Sequence, residues 1–260
     1  MVVGEKYQKQ YQKLKSFFAD YADKCDADLV IFNEPLDKGF YRPLLSQKLL
    51  VPSQLLNYEM GVFLDLDILI SENAPSIFDF LPENKSFGAI LDPRGSKEFN
   101  ETWKHIPRIL EETTADYFTE RNFGDSEKLQ GSINGGVFIF RPKYVANLFN
   151  EYYYSNHNQG GLNSFEETPM AYITQINDLF EPIDIRFNTQ VLYELKGTDS
   201  GKSVLYNELK IPNFVSRFYY KKTGYVFFPT LKYKKMIGEI LKKSYFVHFA
   251  GNYPILKLRK

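Results

Sequence analysis

The sequence predicts an α/β fold built on a largely parallel sheet. Three observations carry this prediction. Short apolar runs (DLVIF, GVFLDLDILI, FGAIL, VFIF and YFVHF) alternate with longer stretches of helical periodicity, the pattern of strands joined by crossover helices. The 260 residues, 43% hydrophobic and 25% charged, suffice for one large core at the upper end of single-domain size. No repeat, low-complexity tract or linker divides the chain, so residues 1–260 read as one domain, with 189–243 as an elaboration of it.

In chain order, Met1-Val2-Val3-Gly4 reads as the last turn of a strand whose beginning is short or missing, compatible with a domain excised from a longer chain. Tyr7, Tyr11, Leu14, Phe18 and Tyr21 recur at three- and four-residue steps, which predicts an amphipathic helix from Glu5 to Lys24. A short buried strand is expected at Asp28–Phe32, a helix at Leu44–Tyr58, and a strand at Gly61–Ile70. Phe87–Leu91 is a further strand, stopped by Asp92-Pro93. Residues 94–133 are polar, with helical pieces around Glu111. Strand Val137–Phe140, helices Pro142–Tyr154 and Glu167–Leu179, and a closing strand Tyr245–Phe249 follow. The region Thr189–Lys243 reads as short strands and loops.

Composition excludes several functions. Lys plus Arg and Asp plus Glu are equal at 32 each, which removes the electrostatic case for nucleic acid or an anionic membrane surface. One cysteine, Cys25, forms no internal disulfide and builds no cysteine zinc site. No apolar run reaches the roughly 18 residues of a membrane span, and no leader is evident, so a cytoplasmic protein without an integral membrane segment is expected.

The chemistry lies in GVFLDLDILI. Residues i and i+2 of a strand point the same way, so Asp65 and Asp67 are expected to project together beyond the carboxyl end of a buried strand, where open α/β sheets bind ligands. Two such carboxylates repel unless a cation lies between them. Mg²⁺ or Mn²⁺ suits an oxygen site that is shared with substrate phosphates. A solvated pair of strand-end aspartates is the plainer alternative. A phosphatase of the haloacid dehalogenase type, with Asp65 as nucleophile, is another; such enzymes place Thr or Val where this chain has Leu69.

The run QKLLVPSQLLNYEMGVFLDLDILI resembles the core of retaining sugar-nucleotide glycosyltransferases of the GT-A fold, the family of glycogenin and the bacterial lipooligosaccharide galactosyltransferases. INGGVFIF, Ile133–Phe140, is similar to that family's Asn-small-Gly-Val strand, and HFAG, His248–Gly251, to its C-terminal His-Phe-x-Gly. The three anchors fall in order and span nearly the whole chain. The resemblance implies a GT-A domain with a nucleotide- and metal-binding part (1–140) and an acceptor-side part with the closing strand (141–260). It further implies Mn²⁺ or Mg²⁺ on Asp65, Asp67 and His248, with Asp65 also near the ribose of the donor. Lys48 corresponds to a basic residue reaching phosphate or sugar, and Tyr7, after Gly4, to the position that holds the base. Asp92 falls near the donor sugar hydroxyls, and Asn134, Gly135 and Gly136 on the sugar-binding strand. Glu167 stands on the face of the anomeric carbon away from the leaving group, as nucleophile or electrostatic stabiliser; Glu166 and Glu167 equally suit a helix N-terminus.

The chain departs from the pattern after His-Phe-Ala-Gly. Pro254 replaces the expected phosphate-binding Lys, which leaves Lys257 or Arg259 as substitutes, with Gly251 of the motif among the donor-binding positions. The function implied is transfer of a hexose from a nucleotide-diphosphate sugar, a UDP-sugar in the first instance, to a glycan, lipid-linked or protein acceptor. A non-catalytic sugar-nucleotide-binding module is the remaining alternative.

Overall fold

The computed structural model describes residues 1–92, 114–155, 166–196, 218, 221–223, 231–250 and 255. Helix α1 spans Glu5–Lys24, as expected, with Glu5 in its first turn and Lys24 in its last, both complementing the helix dipole. Tyr11, Leu14, Phe18 and Tyr21 form its buried stripe. The Tyr21 hydroxyl donates to the Pro75 carbonyl (2.7 Å) and accepts from the Ile77 N–H (2.9 Å), fixing α1 against the chain that follows the acidic pair.

Four expectations fail locally, the first being the strand end at Met1–Gly4, which takes no strand pairing. Residues 28–32 form no strand; among the described residues their backbone makes one long-range bond, Val2 N–H to the Phe32 carbonyl at 2.7 Å. Leu44–Tyr58 is not an α-helix but two 3₁₀ segments, Leu44–Leu50 and Pro52–Gln54. Pro52 supplies no amide hydrogen to continue a helical ladder. The guanidinium of Arg42, only 2% exposed, donates to the Tyr152, Tyr153 and Ser155 carbonyls. It thereby pins the start of this segment, which carries Lys48, to a helix end. The fourth failure is the acidic strand, which breaks into β1 (Gly61–Leu64) and β2 (Ile68–Ile70), each in a different sheet.

Strands β3 (Phe87–Leu91), β4 (Ile133–Phe140) and β5 (Phe180–Pro182) complete a four-stranded sheet in the order β1-β4-β3-β5. Strands β6 (Thr189–Gln190) and β7 (Phe246–His248) join β2 in a second sheet, ordered β2-β7-β6. The expected largely parallel sheet is therefore corrected. β4 runs antiparallel to both β1 and β3, and β7 antiparallel to β2; only β3–β5 and β6–β7 are parallel among the described pairings. All eight residues of β4 are buried, and a strand buried on both faces leaves no alternation from which its direction could be read.

Helices α2 (Thr114–Thr119), α3 (Pro142–Tyr154), α4 (Glu167–Ile176), α5 (Val191–Lys196) and α6 (Leu231–Lys243) follow, with 3₁₀ segments at Ile77–Phe80 and Ile185–Asn188. Helix α6 corrects the reading of 189–243 as strands and loops. Tyr233, Ile237 and Ile240 follow i, i+4, i+7 and bury against Leu69, Val191, Val247 and Phe249. The helical pieces expected around Glu111 lie outside the described residues. No described helix is long and apolar enough to cross a membrane.

Candidate active site

Asp65-Leu66-Asp67 is a turn between the two sheets. The Asp65 N–H donates to the Gly136 carbonyl of β4 (2.8 Å), and the Asp67 carbonyl accepts from Phe249 N–H just past β7 (2.9 Å). Each aspartate is thus tied to a different sheet. His248 ends β7 opposite Ile68. One donor atom from each of Asp65, Asp67 and His248 falls within 4.8 Å of the others. The convergence expected of one strand is reached instead through a turn whose backbone is anchored on both sides.

A shell of amides orients the histidine. The Asn134 side-chain oxygen accepts from Gly136 N–H (3.1 Å), and the backbone nitrogen can only donate, so this atom is Oδ1. The atom of Asn188 facing it at 2.8 Å must then be the donor Nδ2, which leaves Asn188 Oδ1 against His248 Nδ1 at 2.9 Å. An acceptor there requires His248 to carry its proton on Nδ1. In the neutral ring the lone pair is then on Nε2, which faces Asp67 Oδ1 at 3.4 Å. This chain of assignments makes the cluster a fit for a hard divalent cation, with two carboxylates and a preset imidazole nitrogen. Asn188, fully buried, was not singled out in the sequence, where Arg-Phe-Asn resembles any loop.

Two substitutions test this arrangement. A Cβ on Gly136 would lie 2.3 Å from His248 Cε1, so Gly136→Ala must displace the ring. It is expected to weaken Mn²⁺ binding about 10- to 100-fold in calorimetric titration. Asn188→Ala removes the Nδ1 acceptor, and a comparable loss of Mn²⁺ affinity is expected, together with a change in the His248 ¹⁵N tautomer signals of the metal-free protein.

Lys48 forms the second half of the site. Its ammonium is buried and reaches Asp65 Oδ2 (2.9 Å), Glu166 Oε1 (2.8 Å) and the Gly135 carbonyl (3.1 Å), beneath the Phe63 ring. Burial opposes its charge, yet the two carboxylates outweigh burial and hold it well above the usual lysine value. Glu166 was read only as a helix-start acid; it is 4% exposed and belongs to this cluster. Its neighbour Glu167 accepts from Gly135 N–H at 2.9 Å.

The other candidates are distributed as follows. Asp92 is buried, and the Tyr193 hydroxyl lies 3.3 Å from each of its oxygens. Gly4 takes φ +94°, a conformation favouring glycine, and precedes α1. Tyr7 is exposed, so its helical spacing with Tyr11 does not make it a core residue. Gly251 and Lys257 lie outside the described residues.

The fold is shared with a glycosyltransferase involved in the glycosylation of the major capsid of PBCV-1. That match covers 96% of this chain and 90% of that one at a TM-score of 0.51 and 14% identity. Weaker likenesses include the galactosyltransferase LgtC in complex with donor and acceptor sugar analogs (TM-score 0.48, 11% identity, 96% of this chain and 86% of that one). Another is the bifunctional glycosyltransferase WbbM (TM-score 0.46, 13% identity, 85% of this chain but 33% of that one). No family model and no curated protein matches the sequence. The architecture is thus the α/β GT-A type that the sequence resemblance implied.

Proposed function

We propose that the protein is a metal-dependent glycosyltransferase that moves a hexose from a nucleotide-diphosphate sugar, a UDP-sugar in the first instance, to a carbohydrate-bearing acceptor. The observation that carries this reading is the convergence of Asp65, Asp67 and His248 within 4.8 Å at a junction of two sheets in this fold. When bound, Mn²⁺ or Mg²⁺ would offset the negative charge that develops on the leaving diphosphate. Asp65, Asp67 and His248 would hold the ion.

Lys48 and Gly135 place the polar floor of the sugar site, and Asp92 would receive donor hydroxyls. Glu166 is paired with Lys48, and Glu167, which accepts from Gly135 N–H, would be the carboxylate facing the anomeric carbon. In the transfer, the bond from anomeric carbon to phosphate oxygen breaks and a bond to the acceptor oxygen forms. The acceptor proton leaves on the departing phosphate. Retention of configuration follows if attack and departure share one face, with Glu167 countering the positive charge. Residues 1–140 would serve donor and metal, with Tyr7 and Gly4 at the base. Residues 141–260 would form the acceptor side and the closing strand, with Gly251 and Lys257 at the donor diphosphate.

The test is a melting-temperature panel of nucleotide sugars with Mn²⁺ and with chelator. A ligand at about 100 times its dissociation constant adds about 2.7 kcal/mol, so one metal-dependent shift identifies the donor. Hydrolysis of a phosphomonoester without any donor shift would instead favour Asp65 as a phosphatase nucleophile. Donor binding without turnover would favour a binding module.

A further inference from the structure

On the side of β1 away from β4, a cavity of about 580 Å³ opens between residues 28–32 and β1, reaching Leu64 and Leu66 on either side of Asp65. Along one wall run Leu29, Val30 and Ile31; along the other, Met60 to Leu64. Tyr11 and Phe18 of α1 contribute to the lining. Leu29 and Val30 are 40% and 42% exposed, high for adjacent large apolar residues.

Both walls are also unpaired backbone. β1 is the edge of its sheet, laddered to β4 on one side only among the described residues. Residues 28–32 have no ladder partner there, although DLVIF has the composition of a buried strand. The one rung already in place is Val2 N–H to the Phe32 carbonyl, at the end of the cavity where Met1 and Val2 line it. An apolar small molecule would cover the side chains but leave two rows of peptide groups unsatisfied. Only extended polypeptide satisfies both.

We propose that this cavity is a β-strand acceptor whose occupant is an uncharged, apolar peptide segment, lying in line with Met1–Val3 and pairing with β1 and with residues 28–32. The inference is independent of the metal site and of the transfer reaction. Strand addition of this kind draws affinity from main-chain bonds and specificity from alternate side-chain pockets. Here Leu29, Val30, Ile31, Val62 and Leu64 offer aliphatic pockets that Val and Ile fit, while the carboxylates of Asp26, Asp28, Glu59 and Asp79, also in the lining, disfavour Glu.

The experiment fuses four residues directly before Met1, Val-Ile-Val-Ile in one protein and Gly-Ser-Gly-Ser in another. Both tails turn the Met1 amino group into an amide, so any effect of that charge is common to the two. The Val-Ile tail is expected to raise the melting temperature by at least about 5 °C over the Gly-Ser tail. It is also expected to slow amide exchange in residues 29–31 and 61–64. Equal melting temperatures and unchanged exchange would overturn the proposal. Two other outcomes would also overturn it: tail-independent self-association that protects β1, showing a second copy in the slot, and a gain in melting temperature from a fatty acid without amide protection, showing a lipid-like ligand.

Discussion

Asp67→Asn is expected to cut Mn²⁺ affinity by at least about 100-fold and to remove the metal-dependent melting shift with any donor. The substitution keeps the volume of the side chain but deletes the charge that, with Asp65, makes the cluster attractive to a hard cation. If the ion stabilises the leaving diphosphate by several kcal/mol, turnover falls by roughly 10³-fold. Full turnover in Asp67→Asn would sink the metal reading.

The same variant has a pH signature. In the wild-type protein burial opposes the charged imidazole of His248, but the hydrogen bond and charge of Asp67 outweigh it, and His248 is held above its usual value. Burial likewise opposes the charge of Asp67, and its bond to His248 and the His248 charge win, holding it below the usual carboxylate range. A proton on Nε2 competes with a metal ion, so Mn²⁺ affinity should begin to fall, on acidification, at a pH above that of an unperturbed histidine, about 6.5. In Asp67→Asn burial and the Lys48 charge oppose the charged ring and only the Asp65 charge still favours it, so the residual binding should persist to lower pH. In the metal-free protein the signs are opposite for the two partners. The raised histidine contributes stability fully below about 6.5 and loses it as pH rises through its folded value. The depressed aspartate contributes above about 3.9 and loses it as pH falls through its own. Melting temperature in chelator should therefore show a gain between these limits that Asp67→Asn lacks.

Much of the site was legible because it rests on short-range rules. Asp65 and Asp67 are like charges at the end of an apolar run, a placement that needs a partner wherever the strands lie; His248 came only from the resemblance of His-Phe-Ala-Gly to the family's closing motif. The Asn-Gly-Gly opening of β4 likewise came from the resemblance, and Gly136 lies against His248. What the sequence hid depends on contacts between distant segments. The chain turns at Asp65 because its amide pairs with Gly136, 71 positions away, and no local pattern reports that. Glu166 and Glu167 look alike as helix-start acids; only the approach of Lys48 from the 3₁₀ segment separates them. The direction of β4 was hidden by its burial on both faces. Helix α6 is different, since Tyr233, Ile237 and Ile240 carry a helical period that outweighs the aromatic and lysine content around them.

Lys48→Met is expected to lower the melting temperature by about 10 °C, the largest stability loss of any single change at the site. Lys48 stands between Asp65 and Glu166 in a buried position. Removing it leaves two like charges facing one another without a cation, and breaking such a buried pair costs about 3–5 kcal/mol. For a chain of this size each kcal/mol corresponds to roughly 2–4 °C. Three further measurements separate this explanation from lost packing. Glu166→Gln in the Lys48→Met background should restore part of the loss, because it removes one of the repelling charges; two changes that merely disturb packing would both add to it. Mn²⁺ should narrow the gap between Lys48→Met and wild type, since an ion at Asp65 supplies part of the missing positive charge. Acid should narrow it too, as the carboxylates protonate. A melting temperature for Lys48→Met within about 2 °C of wild type in chelator at pH 7 would show that Lys48 does not hold the two carboxylates together. Glu166 would then join Glu167 as a candidate for the donor-sugar role proposed above.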